Sequence, residues 1–179
     1  ACWTCGPQVW LANSEGKDQS VNDPISEAAK LLSQGAILAV KGLGGFHLAV
    51  DATQKEAVER LRWRKGREEK PLALMSSTLE QIETYAFIGE NERQLLTSAK
   101  RPIVIVPKRP GNIIASQVAP RNRYFGVMLP YTPLHHLLFA HPFVALVMTS
   151  GNISEEPIAI DNLEAVERLG KIADYFLFH

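Results

Sequence analysis

Hydrophobic and polar positions switch between a helical and a strand rhythm along this chain. In "NDPISEAAKLLSQGAILAV", Asp23 is placed to cap a helix that starts at Pro24. Ala28, Leu31 and Leu32 form its apolar stripe, Gly35 suits the left-handed stop, and residues 36–40 make a short buried strand. Thr53 and Glu56 have capping-box spacing, so a second helix is expected from there, with Ala57 and Leu61 inward and Gly66 at its end. Residues 72–75 read as a strand, and Leu79–Tyr85 and Glu90–Ala99 as helices. "PIVIVP" is a strand whose terminal prolines restrict its pairing, and residues 111–124 are a polar loop. "TPLHHLLFA" is a helix with Pro133 in its first turn, and "FVALVMTS" is a buried strand. Asp161 and Glu164 cap a last helix, and "DYFLF" is a last strand.

Helices interleaved with short, irregularly spaced apolar strands predict an α/β single domain, a twisted mixed sheet flanked by helices, over residues 21–179. Residues 1–20, with Cys-x-x-Cys and the polar stretch "NSEGKDQ", read as an appendage and linker. The start without Met leads us to expect a piece of something longer. Hydrophobic residues at 46% and charged residues at 21% of 179 exclude wholesale disorder. No run reaches the roughly 18 apolar residues that a membrane-spanning helix needs, and no signal peptide is visible, so no membrane partner is expected. Two cysteines, Cys2 and Cys5, exclude a disulfide framework and fit a reducing compartment such as the cytoplasm.

Lys plus Arg equals Asp plus Glu at 19 each, which argues against a whole-chain grip on nucleic acid. The charge is uneven, however. Arg60, Arg62, Arg64, Lys65, Arg67 and Lys70 stand against Glu68 and Glu69, a local net of +4. The run is either a solvated helix face or, because Gly66 and Pro71 punctuate it, a shaped loop whose Lys65, Arg67 and Lys70 converge on phosphates. A second candidate is "VMTSGNISEEP". A buried strand runs there into Thr149, Ser150, Gly151, Asn152 and Ser154, giving either an ordinary turn or a backbone N–H concavity for an anion. A third is "VKGLGGFHLAVDA", where glycines between Lys41 and His47 make either a tight strand–turn–strand or a place for close ligand approach. It matches neither the Walker nor the Rossmann spacing. His135 and His136 are adjacent on a helix and lack metal-ligand spacing, so they read as core or surface histidines. Cys2-x-x-Cys5 is half of a zinc site that lacks its second pair here.

The segments "AVKGLGGFHLAVDA", "LRWRKGREEKPLALM", "KRPIVIVP", "FGVMLPYTPLHHLL", "VMTSGNISEEPI" and "ADYFLFH" occur in this order. Together they resemble the YrdC-like domains of HypF-type hydrogenase-maturation carbamoyltransferases, over roughly residues 22–179. "CWTCGP" resembles the last cysteine pair of the zinc-finger region that precedes this domain, with Zn²⁺ held in the full-length protein. The resemblance implies that a K-x-R (Lys65, Arg67) and an S-x-N (Ser150, Asn152) bind ATP with Mg²⁺, Thr149 and Lys70 nearby. It implies Lys65 and Arg67 as the catalytic pair that stabilises the α-phosphate while carbamate is converted to carbamoyl adenylate. Lys41, Gly44, His47 and Arg101 are candidates near the small substrate. It also implies neighbouring acylphosphatase-like and C-terminal transferase domains, and HypE as acceptor of the carbamoyl group that becomes the cyanide of nickel–iron hydrogenase.

Two alternatives stay open at this point. The basic run with Trp63 could contact RNA, which the zero net charge disfavours. A threonylcarbamoyl-adenylate synthase of tRNA modification is the other. Family members of that kind carry hydroxyl-bearing residues near Lys41–Leu48, where this chain has "KGLGGFHL", so no threonine pocket is expected.

Overall fold

In a computed structural model, residues 5–67, 69–153 and 156–179 are described. Cys2 and Ser154, singled out above, lie outside them. The strands are β1 (Trp10–Asn13), β2 (Leu38–Lys41), β3 (Phe46–Asp51), β4 (Ala73–Met75), β5 (Val104–Pro107), β6 (Tyr124–Met128), β7 (Leu146–Ser150) and β8 (Tyr175–Phe178). The helices are α1 (Pro24–Ser33), α2 (Lys55–Lys65), α3 (Leu79–Tyr85), α4 (Glu90–Thr97), α5 (Pro133–Leu138) and α6 (Asn162–Leu169). The strands form one mixed sheet in the order β1-β8-β2-β3-β7-β4-β6-β5, with β2–β8 and β4–β6 parallel and the other neighbours antiparallel.

Local chemistry explains most element ends. Asp23 accepts the Ser26 N–H at 3.0 Å, and Asp161 and Glu164 close a capping box on α6. Gly66 ends α2 at φ 64, and Gly35 follows α1 at φ 89. The box expected at Thr53 does not form. Asp51 accepts both the hydroxyl (2.7 Å) and the N–H of Thr53, so Gln54 takes the cap position without a side-chain bond. The prolines hold β5 at the sheet edge. Two strands were not foreseen. β6 has Gly126 at its centre, and β1 lies within the stretch read as an appendage. β1 pairs with β8, with Leu11 and Ala12 buried, so the sheet begins at Trp10.

The sheet separates two apolar layers. On one face α2, α3, α4 and α6 pack Ala57, Val58, Leu61, Ile82, Tyr85, Leu96, Ala165 and Leu169 onto Phe46, Leu48, Val50, Val127 and Val147. On the other, α1 and α5 pack Ala28, Ala29, Leu32, Leu134 and Leu138 onto Leu38, Val40, Ala49, Met148 and Leu177. This second layer stops short. Ile105, opposite Gly126 in the register, is 64% exposed, and Ile103 beside it 54%. That bare stretch meets the end of β7.

Candidate functional site

β7 carries four buried residues and then Ser150, where the strand ends at a backbone junction. Gly151 donates its N–H to the Phe46 carbonyl at 2.7 Å and accepts from Ala159 at 2.9 Å, while Phe46 donates to Ala159 at 2.9 Å. A Cβ on Gly151 would stand 2.6 Å from the Phe46 carbonyl oxygen, so a glycine is required for this approach. The turn beyond is tied by side chains. The Ser150 hydroxyl donates to Asn152 Oδ1 at 2.7 Å, and Asn152 Nδ2 donates to the Glu156 carbonyl at 2.6 Å.

α2 delivers Lys65 to the same turn. Lys65 is 1% exposed, and its Nζ donates to the Ser150 carbonyl (2.6 Å), the Asn152 carbonyl (2.5 Å) and Asn152 Oδ1 (2.8 Å). Three oxygens thus face one ammonium, which compensates part of the cost of burying it. Burial, with a smaller contribution from the Arg67 charge, pushes the Lys65 pKa down to about 8. The K-x-R and S-x-N motifs, 85 residues apart between Lys65 and Ser150, therefore meet through direct hydrogen bonds.

Arg67 sits just past the Gly66 turn and donates to the carbonyls of Lys70 (3.3 Å) and Pro71 (2.8 Å), leaving further N–H groups for a ligand. With Thr149, Ser150 and Met148 it lines a cleft of about 360 Å³ floored by Leu72, Ala73, Ile103, Ile105 and Gly126. The cleft has a cation and hydroxyls at one rim and an apolar floor formed by the bare stretch of sheet. The floor residues were not singled out from sequence. Exposed Ile103 just before β5 and Ile105 within it, alternating with Val104 and Val106, are the signal that was available.

The rest of the basic run holds the fold. Arg60 donates to the Gly35 carbonyl, Arg62 to the Lys70 carbonyl, and Arg64 to Asp174 Oδ1 (2.6 Å) and the Ile172 carbonyl (2.9 Å). Asp174 Oδ2 in turn accepts the Ile37 N–H at 2.9 Å. Of the basic run, Arg67 lines the cleft and Lys65 is buried behind its Ser150 rim.

Comparison with known proteins gives this geometry its context. A family model of the Sua5/YciO/YrdC type, described as telomere recombination, matches residues 30–179. The chain belongs to the Sua5/YciO/YrdC family. It is 49% identical over 158 residues, 88% of this chain, to carbamoyltransferase HypF of Synechocystis sp.. It is 47% identical over all of its length to carbamoyltransferase HypF of Rhodobacter capsulatus. It covers 21% and 24% of those proteins' own lengths. A solved full-length HypF, in a phosphate- and nucleotide-bound form, is 45% identical, with a TM-score of 0.92 over 99% of this chain and 23% of that one. The fold is therefore YrdC-like, and among the described residues no helix is long and apolar enough to cross a membrane.

Within this YrdC-like domain the other candidates scatter. Thr149 is on the cleft. Lys70 is exposed and contributes its carbonyl to Arg62 and Arg67. Lys41 Nζ is 2.7 Å from Asn162 Oδ1, at the start of α6. Gly44 is exposed and open, whereas a Cβ on Gly45, at φ 131, would strike the Ala159 carbonyl oxygen at 2.7 Å. Arg101, at φ 45, bonds the Leu96 carbonyl and lines a separate pocket with Tyr131, Thr132 and His136. Cys5 is exposed. His47 is the cross-strand partner of Ser150 and so shares its face of the sheet. Its Nε2 lies 3.2 Å from the Tyr131 hydroxyl, and its ring is 6.1 Å from that of His135. Tyr131 and His135 were not foreseen as neighbours of this site, because the contact joins the segment entering α5 to β3, with 84 residues between Tyr131 and His47.

Proposed function

We propose that this domain binds ATP–Mg²⁺ in the cleft and adenylates carbamate, as one part of a HypF-type carbamoyltransferase. One observation carries the reading: Lys65 is bonded to Ser150 and Asn152 while Arg67 and Ser150 line one cleft. The nucleotide-bound form of the matched full-length HypF supports the choice of ligand. In this reading the apolar floor takes the base and the rim takes the phosphates.

The reaction asks little acid–base work of the protein. A carbamate oxygen attacks the α-phosphorus, forming one P–O bond. The bond from that phosphorus to the α,β-bridging oxygen breaks, and pyrophosphate leaves with the electron pair. Charge builds on the α-phosphate oxygens, and a guanidinium fixed by two carbonyls answers it without reorganising. Lys65 holds the Ser150–Asn152 turn in shape, and its charge acts on the same phosphates at short range. Mg²⁺ carried by the triphosphate would neutralise part of the phosphate charge and would be held largely by phosphate oxygens rather than by side chains of this domain. The further steps belong to the rest of the longer proteins: carbamate supplied by an acylphosphatase-like domain, and the carbamoyl group passed through a C-terminal transferase domain to HypE.

Isotope exchange tests the reading. Labelled pyrophosphate should enter ATP when carbamate is present and not when threonine and bicarbonate replace it. Exchange that requires threonine would overturn it in favour of the threonylcarbamoyl-adenylate alternative. The stretch Lys41–Leu48, without a side-chain hydroxyl, disfavours that outcome.

A further inference from the structure

Among the described residues, the buried side-chain polar atoms without a hydrogen-bond partner are His47 Nδ1, His135 Nδ1 and His135 Nε2. All three belong to one cluster. His135 is 0% exposed, and its ring packs edge-on to Tyr131 at 4.6 Å and to His47 at 6.1 Å. Leaving a buried donor or acceptor unpaired is costly, so three such atoms together call for a partner. The cluster borders the cleft through Ser150, which is level with His47 across the β3–β7 pair. The rings are also held. A Cβ on Gly42 would lie 2.9 Å from His47, so that glycine makes room for the imidazole.

We propose that His47, Tyr131 and His135 form the seat for the uncharged N–H end of the small substrate and orient its oxygen toward the α-phosphate. The proposal rests on the carbamate reading above and goes further by assigning the residues that would recognise the amine. The chemistry is complementary. A neutral imidazole presents one N–H and one lone pair, and a carbamoyl group presents N–H donors beside an oxygen acceptor. Burial lowers the pKa of both histidines, that of His135 to about 4, with smaller contributions from the His47 and His136 charges. The Tyr131 hydroxyl is raised by burial. The seat is therefore uncharged at neutral pH. Neither ring nitrogen of His135, nor Nδ1 of His47, is bonded to a carboxylate that would meet a substrate ammonium there. A carbamate seated with its NH₂ on the histidines turns its anionic oxygens toward Arg67 and the Ser150 rim. Bicarbonate, with one O–H in place of two N–H groups, satisfies fewer of the waiting atoms.

Histidine-¹⁵N NMR on the full chain tests this. Freshly dissolved carbamate is the probe, with bicarbonate and ammonium chloride as controls, and ATP–Mg²⁺ binding is measured separately by calorimetry. The ring signals of His47 and His135 should move with carbamate and stay still with either control. His47→Leu should weaken the carbamate response about tenfold, and His47→Asn, which keeps a polar atom near the Nδ1 position, should restore most of it. Ring signals that ignore carbamate, as when buried water alone pairs these nitrogens, would overturn the assignment. So would a His47→Leu protein that responds like the parent. Because the NMR readout needs no turnover, an absent calorimetric signal for ATP would count against the nucleotide reading and leave the histidine result to be judged by itself.

Discussion

The second face of the sheet is closed at one end and bare at the other. Across β8, β2 and β3, α1 and α5 bury Leu38, Val40, Leu134 and Leu138. Met75 and Met128, at the ends of β4 and β6, are still covered. One pleat earlier in the same strands, Ala73 and Gly126 line the cleft beside the exposed Ile103 and Ile105. The sheet therefore extends beyond its helices, and the uncovered strands become a floor. The difference is also one of polarity. The closed end is held by side-chain burial, whereas the open end is bounded by Arg67 and a turn whose backbone carbonyls are tied to the buried Lys65. Stability and ligand recognition should accordingly separate along this face.

The largest effects are expected where that separation is tested by truncation. Leu138→Ala, at the closed end, should lower unfolding stability by about 2–5 kcal/mol and leave ATP affinity near that of the parent, as chemical denaturation and calorimetry would show. Lys65→Met should do the reverse in emphasis. It leaves the carbonyls of Ser150 and Asn152 without their donor and should weaken ATP binding by about 2–3 kcal/mol, with a smaller loss of stability. Arg67→Ala, at a half-exposed site, should cost about 1.5–3 kcal/mol in ATP affinity with little change in melting temperature. Loss of stability without loss of binding for Arg67→Ala would erase the distinction.

A pH series sharpens the same comparison. Lys65 is held near pKa 8, so ATP affinity should fall as pH rises through about 8, well before an ordinary lysine titrates. Stability moves the other way. The folded value lies below the unfolded one, so the unfolded chain binds more protons between the two, and this group makes folding more favourable as pH rises across that window. In Lys65→Met both trends should vanish. Smallest of all, Ile105→Ser on the bare floor should change stability by no more than about 0.5 kcal/mol, while ATP affinity falls measurably.

Much of this was legible in the chain, for reasons that are local. Asp23, Gly66 and the Asp161–Glu164 pair act within one turn of backbone, so their roles can be read from spacing. β1 and β6 were missed because pairing defines them. β1 is four residues of moderate character made a strand by β8, and β6 is interrupted by Gly126. The site was half legible. Ser150, Asn152, Lys65 and Arg67 announced themselves as polar residues in unusual company. The burial of Lys65 did not, since lysines are rarely enclosed and its acceptors are mostly backbone. Arg60, Arg62 and Arg64 looked like part of the same patch, yet they anchor α2 to distant carbonyls and Asp174. Composition cannot separate a structural arginine from a binding one.

The central claim is that the cleft lined by Arg67 and the end of β7, beside the turn that Lys65 holds, is a nucleotide site. Isothermal titration of the folded chain with ATP–Mg²⁺, run beside Arg67→Ala, tests it most directly. The account predicts saturable binding by the parent and binding at least about tenfold weaker in the variant. A folded parent that shows no binding, or a variant that binds as the parent does, would contradict it.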